Sequence, residues 1–282
     1  MDEMNKEVYR EMHQAMDERY KEGKVRIPSG CAIAAVINQE KELMGSNPIV
    51  SSLALMRERS NGLGGGFAGY GIYPAYSDHY ALHIFFEDQN ARHQVEPKLQ
   101  KYFDIAHAEA IKTRRLKQIK TSPVIWRYFV KPRLTETEDN EEDFLVSFIM
   151  TLNSSNCGAY VFSSGKNMGS FKGVGFPEDI AEFYCLEDYN GYIWTGHGRF
   201  PTNTPGWWGG AHPFCLLDWS VVHNGELSSY GTNRAYLEMF GYQCSLQTDT
   251  EVVAYTFDLL IRKHGISLAD AVSATCPPFW YR

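Results

Sequence analysis

Residues 31–37 read CAIAAVI, an unbroken apolar run that follows directly on a break formed by Gly23, Pro28, Ser29 and Gly30. A run this short falls well below the ~18 to 20 apolar residues needed to cross a bilayer. Its content of Ala, Ile and Val suits a buried strand. The chain is therefore expected to restart at Cys31, with a core built around a strand that opens on a cysteine. No longer apolar stretch occurs, so no membrane span is expected. Ahead of the break, Met4, Val8, Met12, Met16 and Tyr20 fall on one helical stripe, which predicts an amphipathic leader helix over residues 1–22. The mixed charges of that leader, with no apolar block behind them, do not match a secretory signal, so cytoplasmic residence is expected.

Charge and composition exclude further classes. With 27 Lys and Arg against 34 Asp and Glu, the 282-residue chain carries a formal charge of -7, which argues against general attraction to nucleic acid or anionic membrane. At 44% hydrophobic residues it can bury a core, unlike a disordered chain. Its six cysteines form no CxxC pair or zinc-finger spacing, and are read as reduced thiols, most of them buried, with no metal site.

Periodicity predicts a helix over 49–59, strands around 67–73 and 80–86, a polar solvated helix over 90–120, and strands at 124–130 and 144–152 flanking an exposed acidic loop, TETEDNEED. Further strands are expected at 158–163, 192–195 and 221–222, then helices at 233–240 and 251–264. Gly64, Gly66 and Gly69 satisfy GxGxxG, but they follow a helix and precede a strand, the reverse of a dinucleotide fingerprint. They predict instead a tight loop with positive φ or close backbone approach beside a site. His79 and His83 sit four apart on an extended segment, too far for one metal. Asn153, Ser154 and Ser155 match a glycosylation pattern by chance.

The stretches TGHGRFPTNTPGWWGGAHPF, VVHNGELSSYGTN and TDTE gather Arg, Thr, Asn, His and Gly where regular structure ends, as functional loops do. Each is also explained singly as a capped turn: Asn224-Gly225 is a common turn pair, and Thr248 or Asp249 would cap the next helix. Together with Cys31, with VFSSGKNMGSFKGVGFPEDIAEFY and with ALMRERSNG, they resemble the class II glutamine amidotransferases, which are N-terminal-nucleophile hydrolases, and within them the glutaminase domain of glutamate synthase. The resemblance runs from about Cys31 to Ala254.

That resemblance implies an α+β fold, a four-layer αββα sandwich of the N-terminal-nucleophile hydrolase type. It makes Cys31 the nucleophile, freed by cleavage of Gly30-Cys31, so that residues 1–30 are a propeptide. Residues 31–282 are then the amidotransferase domain, with an inserted segment at about 90–190 and a C-terminal part that stops short of the family's sheet. Asn224 and Gly225 match the oxyanion hole, Arg199 the clamp on the glutamine carboxylate and Asp249 the acceptor of its ammonium group. Thr202, Asn203 and His212 line the pocket, and Arg59 organises the loop beside the nucleophile. Ala32 departs from the family's usual Gly.

The implied reaction is hydrolysis of L-glutamine to glutamate and ammonia through a Cys thioester, the ammonia passing to a glutamate-synthase-type partner. No cofactor is expected on this chain; FMN and iron-sulfur clusters would sit on the partner subunit or domain. Two alternatives are a non-catalytic glutamine-binding or assembly module, and the amidotransferase subunit of another synthase, such as one forming N-methylglutamate.

Overall fold

The computed structural model describes residues 30–134, 140–200, 206–246 and 248–276. The expected leader helix and the C-terminal end at Arg282 lie outside them. In chain order the elements are β1 (Ala32–Ile37), β2 (Met44–Gly45), α1 (Asn47–Ala54), β3 (Gly65–Tyr70), β4 (Tyr80–Phe86), α2 (Gln89–Tyr102), β5 (Phe103–Ala110), β6 (Val124–Pro132), α3 (Glu141–Ser154), β7 (Ala159–Ser163), β8 (Met168–Gly173) and α4 (Pro177–Phe183). There follow β9 (Asn190–Gly191), β10 (Ile193–Gly198), β11 (Phe214–Leu216), β12 (Trp219–Val221), α5 (Tyr230–Met239) and α6 (Asp249–Phe257), which runs into a π-helical turn, Asp258–Lys263, before α7 (Leu268–Thr275). The fold is α+β with several antiparallel sheets.

The first sheet has the order β1-β10-β3-β8. Alternation along its strands separates two faces. Phe67, Phe171 and Trp194 belong to a core shared with Ile49 and Leu53 of α1 and Ile180 of α4. Gly196 lets α1 close on that face, since a Cβ there would stand 2.6 Å from Leu53 Cδ1. On the other face, Tyr70 donates from its hydroxyl to Asp218 O at 3.0 Å, and Lys172 Nζ donates to Gly209 O at 3.0 Å. That side is covered by the β11–β12 hairpin and the loop before it. Gly66 is required there, because an added Cβ would lie 2.3 Å from His212 O.

The second sheet has the order β5-β6-β4-β7, all antiparallel. Its strands and two helices run β-α-β-β-α-β, the split βαβ arrangement. β4 is buried along its whole length. Its Tyr80, Leu82, Ile84 and Phe86 share a core with Val95 and Leu99 of α2 and Leu145 and Ile149 of α3, while Ala81 and Phe85 join the core that holds Phe67 and Trp194. Leu237, Val252 and Leu259, on or following α5 and α6, complete the first of these cores.

Several sequence expectations are corrected. Residues 144–152 are helical, within α3: Asn140 caps it by accepting from Glu142 N and Asp143 N, and burial of Leu145, Val146, Ile149, Met150 and Leu152 follows a helical face. Glu141, Glu142 and Asp143, expected in an exposed loop, form its first turn, where acidic side chains suit the helix dipole. The polar helix expected over 90–120 ends at Tyr102; Phe103–Ala110 is a strand because it pairs with β6, Phe103 opposite Pro132 and Ala110 opposite Trp126. Gly66 and Gly69 lie in β3, not in a loop, although the expected close approach is present. Of the free thiols only Cys185 and Cys244 are buried; Cys31, Cys157 and Cys215 are half-buried and Cys276 is exposed. Asn153 is buried and exchanges hydrogen bonds with Val161, so it is no glycosylation site.

Candidate active site

Sheet register builds the site. Ala32 at the start of β1 pairs with Gly198 at the end of β10, and Gly198 pairs with Gly65 at the start of β3. One step beyond this row, Cys31, Arg199 and Gly64 come together. The backbone N–H of Arg199 donates to Gly64 O at 2.8 Å. That of Phe200 donates to Cys31 Sγ at 3.3 Å. Gly64 leaves room for Arg199, as a Cβ there would meet the Arg199 side chain at 3.2 Å.

Two side chains converge on the carbonyl oxygen of Cys31. Arg59 donates from Nε at 3.2 Å and Asn224 from Nδ2 at 3.1 Å. Asn224 is carried on the exposed turn that leaves β12, followed by Gly225, where an added Cβ would stand 2.8 Å from His223 Nε2. Arg199 is buried, and burial pulls its guanidinium below the ordinary value against the opposing influence of Cys31 and Asp249. Arg199 thus lies near enough to Cys31 and to Asp249 for each to act on its charge.

Asp249 opens α6. Thr248 is the N-cap, its hydroxyl accepting from Glu251 N, which turns Asp249 outward at the helix start. The Asp249 carboxylate accepts from Leu227 N at 3.0 Å, tying α6 to the turn that carries Asn224. Burial pushes its carboxyl up, but the neighbouring His223 imidazole at 3.6 Å and the hydrogen bond from Leu227 N outweigh this and hold it below the usual range.

His212 stands behind this surface. It is buried, its ring stacks on His197 at 3.9 Å, and its Nε2 shares a hydrogen bond with Thr250 Oγ1 at 2.8 Å. Burial keeps both imidazoles neutral, His197 down at about 3 and His212 well below its ordinary value. Thr202 and Asn203 lie outside the described residues.

Several neighbours escaped the sequence reading. His223 and Thr250 belong to the same HNG and TDTE motifs as Asn224 and Asp249, so their signal was present. Lys172 and Glu251 carried none that distinguishes them from surface charges. Lys172 is fully buried, its amine pushed down to about 8, and Glu251 is buried with its carboxyl pushed up to about 7, accepting from Ser245 N and Leu246 N. Among the described residues, no group of three or more His, Cys, Asp or Glu is placed to hold a metal, and no helix is long and apolar enough to cross a membrane.

Residues 76–257 match the family model of the class-II glutamine amidotransferases. The chain is 52% identical over 255 residues to an uncharacterized protein of Archaeoglobus fulgidus, covering 89% of this chain and 68% of that one. It is 39% identical over 94 residues to the glutamine–fructose-6-phosphate aminotransferase of Bradyrhizobium diazoefficiens, covering 33% of this chain and 15% of that enzyme. It is 32% identical over 105 residues to the amidophosphoribosyltransferase of Methanocaldococcus jannaschii, covering 36% and 22%. The chain thus matches only about a fifth or less of either named enzyme. The family match spans well over half of its residues, across the Asn224 turn and the start of α6, and the chain belongs to the class-II glutamine amidotransferases.

Proposed function

We propose that this chain is a glutaminase that hydrolyses L-glutamine through Cys31 and supplies the ammonia to a synthase partner of the glutamate-synthase type. The observation that carries the reading is the convergence of Arg59, Asn224 and the Phe200 N–H on Cys31, beside Arg199 and Asp249.

Cleavage of Gly30-Cys31 frees the α-amino group of Cys31. That amine, with an ordinary pKa of ~7.7 to 8.0, takes the thiol proton at neutral pH. The sulfur then attacks the side-chain carboxamide carbon of glutamine. Asn224 turns its amide from the Cys31 carbonyl to the developing oxyanion, and the Gly225 N–H serves as second donor. One such donor supplies ~2.7 to 4 kcal/mol of transition-state stabilisation. The tetrahedral intermediate collapses, the amide nitrogen leaves as ammonia with the proton held by the amine, and water hydrolyses the γ-glutamyl thioester to glutamate and free thiol. Arg199 receives the α-carboxylate, for which a planar two-pronged guanidinium is suited, and Asp249 the α-ammonium group. Thr202 and Asn203 are assigned to substrate binding by the family resemblance, and His212 backs the site through Thr250. FMN and iron-sulfur chemistry belong to the partner.

The αββα sandwich of N-terminal-nucleophile hydrolases fits the first sheet, with α1 and α4 on one face and the β11–β12 hairpin as the start of the opposing layer. The split βαβ unit from Tyr80 to Ser163 is then an insertion into that domain. A glutaminase assay tests the central claim: wild-type protein releases ammonia from glutamine and Cys31→Ala does not. Intact mass of the active protein shows whether residues 1–30 are removed; activity in a chain that keeps Met1 would overturn the processing step.

A further inference from the structure

The His223 side chain has no part in the reaction just described, yet it stands against two groups that do. Its Nδ1 lies 3.6 Å from Asp249 Oδ2 and 3.4 Å from Thr250 Oγ1. Its Nε2 edge covers Gly225, where an added Cβ would come within 2.8 Å. The backbone fixes this position, because His223 O shares a hydrogen bond with the buried His197 Nε2 at 3.0 Å. Imidazole and carboxylate are both reachable from solvent, with side chains 28% and 22% exposed. Asp249 is the carboxylate assigned above to the α-ammonium group of glutamine, and the inference rests on that assignment.

The geometry points to His223 as the residue that sets the pH range in which the pocket accepts an amino acid: protonated, it holds the Asp249 carboxylate that the α-ammonium group needs; neutral, it releases it. Two cations cannot both be well served by one carboxylate, since like charges brought together repel. Proton and amino acid therefore compete, and each lowers the affinity for the other by the same factor. The groups that set this balance are Asp249 on α6, whose nearby carboxylate raises His223 above the ordinary imidazole value, and Glu226 on its own loop, which adds to the rise. His197 on β10 and His212 before β11 stay neutral through burial and contribute no competing charge at the pH values concerned. Thr250 is uncharged and links the His223 and His212 rings through its hydroxyl.

The product L-glutamate is a suitable probe, because it carries the same α-carboxylate and α-ammonium groups and is not consumed. Between about pH 5.5 and 7.5 its own charges stay fixed. Calorimetric titration of L-glutamate into the purified protein is expected to show affinity falling by about tenfold per pH unit below the imidazole's titration. In His223→Gln, which keeps a polar side chain but cannot titrate, affinity should be the same at both ends of the range. Wild-type affinity independent of pH, or a pH dependence that persists in His223→Gln, overturns the inference and leaves the glutamine pocket intact. Failure of glutamate to bind at either pH overturns the pocket assignment itself and the inference with it.

Discussion

The side-chain amide of Asn224 donates to the carbonyl oxygen of Cys31 at 3.1 Å, across a sequence separation of 193 residues. The contact joins the residue before β1 to the turn that leaves β12. It holds a neutral donor beside the residue assigned above as nucleophile. Asn224→Ala should lower kcat for glutamine hydrolysis by ~10² to 10³ with little change in KM, because the lost hydrogen bond is made mainly in the transition state. Steady-state kinetics check this, and an unchanged kcat would remove Asn224 from the oxyanion hole.

Arg199 should show the opposite split. Its aliphatic stem packs on Gly64 and its guanidinium reaches Gly210, where an added Cβ would stand 3.1 Å from Nη1. Arg199→Lys keeps the charge and loses the two-pronged geometry. Loss of one charged hydrogen bond costs ~1.5 to 3 kcal/mol, so KM for glutamine should rise roughly tenfold to a hundredfold with kcat changed less. A KM within twofold of wild type would mean that the carboxylate is held elsewhere.

Much of this arrangement was legible in the chain, for identifiable reasons. Cys31 opens an apolar run, and that run folds as β1 with Cys31 directly before its first residue. Tyr80–Phe86 reads as a strand because aromatic and branched residues dominate it. Phe103–Ala110 was not legible, since Ala, Glu and His in FDIAHAEA prefer no strand by themselves and only the β6 partner decides the outcome. Residues 144–152 failed for the converse reason: a short apolar run fits strand or helix equally, and the deciding signal was Asn140 with its acidic first turn. At the site, Asn224 and Asp249 stand in recognisable motifs. The burial that changes the chemistry of Lys172 and Glu251 comes from tertiary packing and leaves no mark on local sequence.

Acid should destabilise the protein with two successive slopes. His83 and His197, both held by burial at about 3, and His212, pushed well below its ordinary value, remain neutral in the fold and take up protons when unfolded. A depressed folded pKa gives stability that is full above the unfolded value of about 6.5 and is lost as pH falls toward the folded one. Each such imidazole removes about 1.4 kcal/mol per pH unit across that window. Glu251, raised to about 7 by burial, acts with the opposite sign: between about 7 and its ordinary 4.5 the folded chain holds a proton that the unfolded chain does not, and offsets one histidine. Urea midpoints measured from pH 7 to 4 should therefore fall with the net slope of two imidazoles between about pH 6.5 and 4.5, and with that of three below about 4.5. A flat profile through this range would contradict the neutral buried histidines.

Lys172 should trade stability against substrate binding. Its ammonium is buried on β8, lies 4.3 Å from the centre of the Phe214 ring and donates to Gly209 O. Displacement of its amine from 10.5 to about 8 corresponds to roughly 3 kcal/mol of cost for keeping the charge in the fold at neutral pH. Lys172→Met preserves the length and the packing on Phe214 and removes that cost, while the Gly209 carbonyl loses a donor worth ~1 to 3 kcal/mol. At pH 7 the variant should match or exceed wild type in stability by up to about 2 kcal/mol. As pH rises from about 8 to 10.5 the wild type deprotonates in the folded state and recovers its deficit, so the difference should shift in its favour. The Trp208–Ala211 turn, released from Lys172 and still pressed on Arg199 through Gly210, should raise KM for glutamine severalfold. Denaturant titrations at the two pH values, with KM measured on the same preparations, check both halves. A Met variant much less stable than wild type at pH 7 would show that the ammonium holds the fold together.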